Sequence, residues 1–335
     1  MRVPRRKANC PSEFNAGAAV NSRLRVAVLS LLVLSLFSRP ALASDSLLEL
    51  AGHSVFADSP HRLSAEHNIG AALTKASVLD PDKTGAGAAN EKAEFARTMD
   101  QLAAGYMQLG ADALAAQALH TASNFSKQYL FDYGEALYLA GQTDTASTTF
   151  EQASDEAPTD TAGAVTAAFY MLMENQADQA MSRLHPIAQG DGPVEDRGYA
   201  VLYLILASQT RHTDPKRVIA DIPMPANRNW PFELRDVLIS GPSRGIDSTL
   251  MASKPGFQDR LCEALFYVGF SHEIDGDRET AQRFYRAALD THAAGIRSYA
   301  AARIRLTDLL GGRKTKFLTP RNLSWTQSGQ RHPNT

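Results

Sequence analysis

The stretch that most constrains this chain runs from Cys262 to Ala293. Leu265, Val268 and Gly269 lie before a short polar Asp275-Gly276-Asp277 step, and Ala281, Tyr285, Ala288 and Leu289 follow it, so apolar and small residues recur at helical spacing on both sides of one turn. Such a pattern folds as two antiparallel helices. Gly269 and Ala281 let the helices approach closely, while Tyr285 and Ala288 bury against the hairpin and its neighbour. A single hairpin cannot cover its own apolar face, so copies are expected upstream.

The copies are present. From Lys127 to Asp160, the residues Leu130, Tyr133, Gly134, Leu137, Gly141, Ala146, Phe150, Ala153 and Pro158 occupy the large, small and turn positions of a tetratricopeptide-type repeat. Met99, Leu102, Ala103, Tyr106, Gly110, Ala115, Leu119 and Ala122 form an earlier copy, with 31 rather than 34 residues from Gly110 to Gly141. Ala164, Ala167, Ala168, Met171, Asn175, Ala180, Leu184 and Ile187 form a later one, in which Pro186 is expected to end or kink the second helix. Tyr199 to Ala207 supplies only a first helix.

The expected fold is all-α, a right-handed solenoid of tetratricopeptide-type hairpins. With 335 residues and 44% apolar residues the chain can bury a full core, and no convincing strand is found in it. The repeats fall near 96–126, 127–160 and 161–190, a degenerate unit covers 195–253, a full repeat covers 262–295, and 296–310 is a capping helix, all within a repeat domain of 91–310. Residues 44–90 precede it as short helices and a linker. A helix from Ser64 to Leu79 is expected there with Ser64 as its cap, followed by the Pro- and Gly-rich loop of 80–90. Asp214-Pro215 opens a short helix to Asp221, Ile222 to Asn229 is irregular, and Phe232–Ser240 and Ile246–Ser253 are helical.

Residues 1–43 have the form of a secretory signal. Val26 to Phe37 is an apolar run of 12 residues with Arg23 and Arg25 before it and Ala41-Leu42-Ala43 after it, too short to span a bilayer and followed by a small-x-small cleavage pattern. The mature protein is expected to begin at Ser44, exported and periplasmic, with a start near Val20 giving the more ordinary leader. No cysteine stands just after the run to accept a lipid, where Ser44 follows Ala43. Cleavage leaves Cys262 as the one cysteine, so no internal disulfide can form and a buried helical thiol is expected. It also removes seven basic residues and one acidic residue, leaving 27 basic, 35 acidic and a net charge of −8. That balance argues against nucleic acid as a partner. The polar stretch 311–335 holds five basic residues and no acid, and reads as a disordered basic tail.

Motifs that would carry chemistry are weak. Gly241-Pro242-Ser243-Arg244-Gly245 has the spacing of a nucleophile elbow, but that device needs a parallel sheet, so Ser243 as a hydrolase nucleophile is the minor alternative. Gly85 to Asn90 lacks the last glycine of a dinucleotide loop. His53, His61 and His67 fit no single helix face, and Asp275-Gly276-Asp277 lacks the later ligands of a calcium loop. No catalytic residue, cofactor or metal is expected.

The remaining signal is a surface. In hairpins of this type the first helix lines the concave side, and positions four residues apart share one face. Those positions hold Phe131, Phe169, Tyr199, Tyr203, Phe266 and Phe270, an aromatic stripe that an exposed surface would need a protein partner to cover. Where eukaryotic chaperone-binding repeats place Lys and Asn to clamp a terminal carboxylate, this chain has Asp100, Ala104, Phe131 and Glu135, which argues against that mode.

The segment from Tyr199 to Leu310 adds a closer resemblance. Tyr203-Leu204, Trp230-Pro231-Phe232, Ser248-Thr249-Leu250-Met251, and Phe266-Tyr267-Val268-Gly269 leading to Gly276-Asp277 and Ala281 resemble the C-terminal half of the NlpI-type tetratricopeptide proteins of the bacterial envelope. The resemblance implies a periplasmic, usually dimeric adaptor without catalysis that brings peptidoglycan endopeptidases together with a processing protease or with synthesis machinery. Members of that family are lipoproteins, and the lipid-accepting cysteine is absent here. A structural subunit of a secretion or polysaccharide-export assembly is the alternative role.

Overall fold

The computed structural model describes residues 60–82, 84–85, 87–225, 230–240 and 256–311, and among them every regular element is a helix. The helices are α1 Pro60–Ala76, α2 Ala88–Gln108, α3 Asp112–Phe125, α4 Leu130–Leu139, α5 Thr143–Glu156, α6 Thr161–Met173, α7 Ala177–Gln189, α8 Val194–Thr210, α9 Pro215–Val218, α10 Phe232–Ser240, α11 Phe257–Ile274, α12 Arg278–Asp290 and α13 Arg297–Leu310. A single 3₁₀ turn, Lys127–Tyr129, leads into α4. Consecutive helices pair as hairpins: α2 with α3, α4 with α5, α6 with α7 and α11 with α12. The described residues belong to one compact unit.

One local device repeats through the chain. Each of α2, α4, α6, α8 and α11 ends on a residue in the left-handed region: Gly110 (φ 72°), Gly141 (φ 81°), Asn175 (φ 62°), His212 (φ 53°) and Gly276 (φ 83°). The two closing hydrogen bonds are also the same. At the first turn Gly110 N donates to Met107 O and Ala111 N to Tyr106 O, and the pairs Gly141/Gln142, Asn175/Gln176, His212/Thr213 and Gly276/Asp277 do likewise at the others. This is the Schellman termination, in which the left-handed residue and the one after it satisfy two terminal carbonyls and reverse the chain into the next helix. Glycine takes that conformation freely at Gly141 and Gly276, whereas His212 does so against a Cβ penalty. The fourth unit therefore keeps the repeat's turn even though only the one-turn helix α9 follows it.

Small residues set the hairpin spacing. A Cβ on Gly134 would lie 2.6 Å from the Phe150 ring, and one on Gly269 would lie 2.9 Å from Phe284 Cβ and 3.1 Å from the Tyr285 ring. Gly134→Leu and Gly269→Leu are each expected to overpack their hairpin and lower stability by about 1–3 kcal/mol. Thermal unfolding measures this; midpoints equal to that of the parent would place these glycines outside the helix contacts.

Several local expectations are corrected. Helix α1 begins at Pro60, so Ser64 lies inside it, where its Oγ accepts from Asn68 Nδ2 at 3.3 Å instead of capping. Proline fits the first helical position because its missing N–H has no intrahelical use there. Pro186 does not end α7, which continues to Gln189. The carbonyl that loses its donor belongs to Ser182, which is exposed, so water can satisfy it, while Leu184 and Ala188 stay in the core. Asp214 caps α9 as expected, accepting from Lys216 N at 3.0 Å, but the helix stops at Val218. The expected helix at 246–253, the leader at 1–43, the start of the N-terminal region and the tail beyond 311 lie outside the described residues.

The last helix decides how the hairpins are joined. As a cap, α13 covers α12 and α11, yet it also reaches α4, more than 150 residues earlier in the chain. Helix-to-helix contacts therefore run α4–α6, α6–α8, α8–α11, α11–α13 and back from α13 to α4. The first helices of the hairpins face one another around this circuit.

Candidate functional site

The circuit buries the aromatic stripe. Phe131, Phe169, Tyr203, Phe266 and Phe270 are all core residues, and Tyr199 is half-buried. Phe169 of α6 has its ring 5.3 Å from Tyr203 of α8, 5.8 Å from Phe266 and 6.5 Å from Tyr267 of α11, while Phe266 stacks on Phe270 at 5.8 Å. Phe131 lies against Gly163 of α6. The exposure expected for these rings is thus overturned, because the helices that carry them pack against one another and present the positions to the protein's own interior. Tyr199 alone among the six keeps access to solvent.

Polar side chains gather beside this cluster. Arg297, the first residue of α13, donates from Nε and Nη2 to the two oxygens of Glu135 on α4 at 3.0 and 3.1 Å, and from Nη2 to Thr166 Oγ1 on α6 at 2.8 Å. Tyr170 of α6 donates to the same Glu135 at 2.9 Å. Across the aromatic layer, the hydroxyls of Tyr203 and Tyr267 share a hydrogen bond of 2.9 Å, and Tyr199 Oη and Trp230 Nε1 both donate to Glu263 on α11. The two partners of every pair come from different elements, more than 30 residues apart, so none of these pairs has a signature in local sequence. Arg297 retains 31% side-chain exposure and Glu135 11%, which marks this centre as open at one side.

The electrostatics of the centre are unusual for a structural core. Burial pushes Asp132 up to about 7, and Glu135, Asp100 and Asp160 raise it further by repulsion, while Arg297 partly offsets them. Burial likewise lifts Glu263 to about 6 against the hydrogen bonds from Trp230 and Tyr199. For Arg297, burial opposes the charge, but the Glu135 carboxylate more than offsets it and holds the guanidinium charged. Carboxylates shifted towards neutrality beside a partly exposed arginine are the kind of group found where proteins bind or react.

A pH dependence follows. Asp132 titrates near 4 when unfolded and near 7 when folded, so the native state binds the proton more tightly between those values. The stability gained from keeping Asp132 neutral is complete below about pH 4 and is lost as pH rises through about 7. Asp132→Asn is therefore expected to raise stability by roughly 1–3 kcal/mol at about pH 8 and to change it little near pH 4. Thermal melts of both proteins across that range test the sign; a variant less stable than the parent at pH 8 would mean that Asp132 is held charged.

Other sequence candidates fall elsewhere. Asp275-Gly276-Asp277 forms the turn between α11 and α12, and Asp277 spends its carboxylate on capping, accepting from Thr280 N at 3.2 Å. Cys262 is fully buried, and burial pushes its thiol up to about 12, so it is inert. Ser243 and its surrounding Gly241 to Gly245 lie outside the described residues. Among the described residues no three His, Cys, Asp or Glu side chains are grouped to hold a metal ion, and no helix is long and apolar enough to cross a membrane. Sequence reading passed over Arg297, Glu263 and Tyr170 as site residues.

Comparison with known proteins adds no assignment. A scan against protein-family models finds no match, and a search of curated proteins finds none either. What the chain displays by itself is an all-helical domain of consecutive hairpins whose first helices enclose a polar centre built on Arg297.

Proposed function

We propose that the protein is a binding scaffold of the tetratricopeptide type, a right-handed array of helical hairpins exported to the periplasm without a lipid anchor. In this reading it resembles the NlpI-type adaptors and links envelope proteins, with peptidoglycan hydrolases and a protease or synthesis enzyme as the partner classes. The observation that carries the reading is the partly open centre around Arg297, Glu135, Asp132 and Glu263, where charged groups from α4, α11 and α13 meet beside Tyr199. The recurrence of one turn geometry at five helix ends supports a repeat origin for the surface. An extended or helical segment bearing Lys or Arg fits the local excess of Asp100, Asp132 and Asp160.

The test is affinity capture from an envelope extract with the parent protein and with an Asp100→Asn/Asp132→Asn variant. The parent is expected to retain envelope enzymes in a salt-sensitive way, and the variant to retain at least about tenfold less while unfolding no earlier than the parent. Capture of a stoichiometric membrane assembly would support the subunit role instead. Equal capture by both proteins would move the recognition surface away from this centre.

A further inference from the structure

We infer that α13 is a charge-held clasp that closes the inner side of the early hairpins, and that its release opens the polar centre. The helix is fixed in its C-terminal half and bridged from its first residue and its middle. Its fixed attachment is to its own hairpin: Arg305, 4% exposed, grips Glu273 of α11 through both carboxylate oxygens, and Arg278 of α12 donates to the Leu309 carbonyl at 3.2 Å.

The bridging attachment is of a different kind. Arg297 crosses to Glu135 and Thr166, and Arg303 crosses to Asp112 in the first turn of α3 at 2.5 Å, with its guanidinium 2.8 Å from where a Cβ on Gly110 would stand. These two arginines sit on the same helix, and both retain roughly a third of their side-chain exposure, at 31% and 39%. When these bridges open, each arginine can turn into water although Glu135 and Asp112 stay largely buried, whereas both partners of the Arg305–Glu273 pair are enclosed and separating it leaves two buried unpaired charges. The second oxygen of Asp112 is buried without a hydrogen-bond partner, so the Arg303 bridge is only half satisfied in the closed state. Closure therefore rests on two polar bridges, each between residues more than 160 positions apart, while the aromatic layer of α6, α8 and α11 holds the rest of the circuit. Controlling access of a bound segment would rest on the binding reading above; the clasp itself does not.

Amide hydrogen exchange on the full free protein tests it, with no partner present. In Arg297→Gln/Arg303→Gln, exchange in α13 and in the facing α3 and α4 is expected to rise at least about tenfold, with α8 and α11 unchanged. A uniform rise across all helices, or no rise in α13, would overturn the clasp. If the double variant does not fold, Arg303→Gln alone must raise exchange in α13 and α3 about threefold or more, and unchanged exchange there would overturn the proposal. Because capture plays no part in this readout, loss of capture with intact exchange behaviour tells against the binding role and leaves the clasp standing.

Discussion

Replacing Phe169 by alanine is expected to lower the stability of the fold by about 3–5 kcal/mol, the range for deleting a fully buried aromatic ring. Phe169 touches Tyr170, Tyr203, Phe266 and Tyr267, so its ring joins α6 to α8 and α11, and neighbouring rings fixed by their own hydrogen bonds cannot collapse into the space. For a domain of this size such a loss shifts the thermal midpoint by roughly 6–20 °C. Calorimetry and circular dichroism measure it. The same substitution made in a solvent-facing anchor would change stability by less than about 0.5 kcal/mol, so a variant with the parent's midpoint would return Phe169 to the surface.

Glu273→Ala is expected to cost a similar amount, about 3–5 kcal/mol, through a different mechanism. Glu273 is buried at 1% exposure and accepts from both Arg305 and Tyr285, the latter at 2.7 Å. Truncation leaves the Arg305 guanidinium charged inside the protein with its principal partner gone, since the Glu273 hydrogen bond and charge are what offset its burial. The penalty is for the orphaned charge, not for the pair itself. Glu273→Leu combined with Arg305→Leu should therefore be far milder than Glu273→Ala, near neutral by comparison with other buried pairs replaced by apolar residues. Urea unfolding of the single and double variants decides it: a double variant as unstable as Glu273→Ala would show that the network contributes net stability through Tyr285 and its neighbours.

These two predictions bear on different levels of legibility. Hairpins were readable from sequence because helical pairing is local: Gly134 against Phe150, and Gly269 against Phe284, are close in the chain, and the turn residues Gly110, Gly141 and Gly276 announce themselves by needing positive φ. Even Asn175 could be aligned, since asparagine tolerates the left-handed region, whereas His212 could not, because nothing in its side chain favours that conformation. Pro186 misled for a related reason: its effect depends on whether the abandoned carbonyl meets water, which is a property of position in the fold.

The sequence by itself determined the all-helical class, the hairpin register and the sites of close helix approach, because each follows from spacing within about 35 residues. Tertiary structure decided which faces of those hairpins are inside. Phe131, Phe169, Tyr203, Phe266 and Phe270 occupy positions that would face outward along an open array, and they become core because the first helices close on one another. The contacts that close the circuit, Arg297 with Glu135 and Arg303 with Asp112, are single charged residues on otherwise ordinary helices. Charge pairs at long separation leave no periodicity, and the loop closure that brings them together is set by the summed geometry of every hairpin between them.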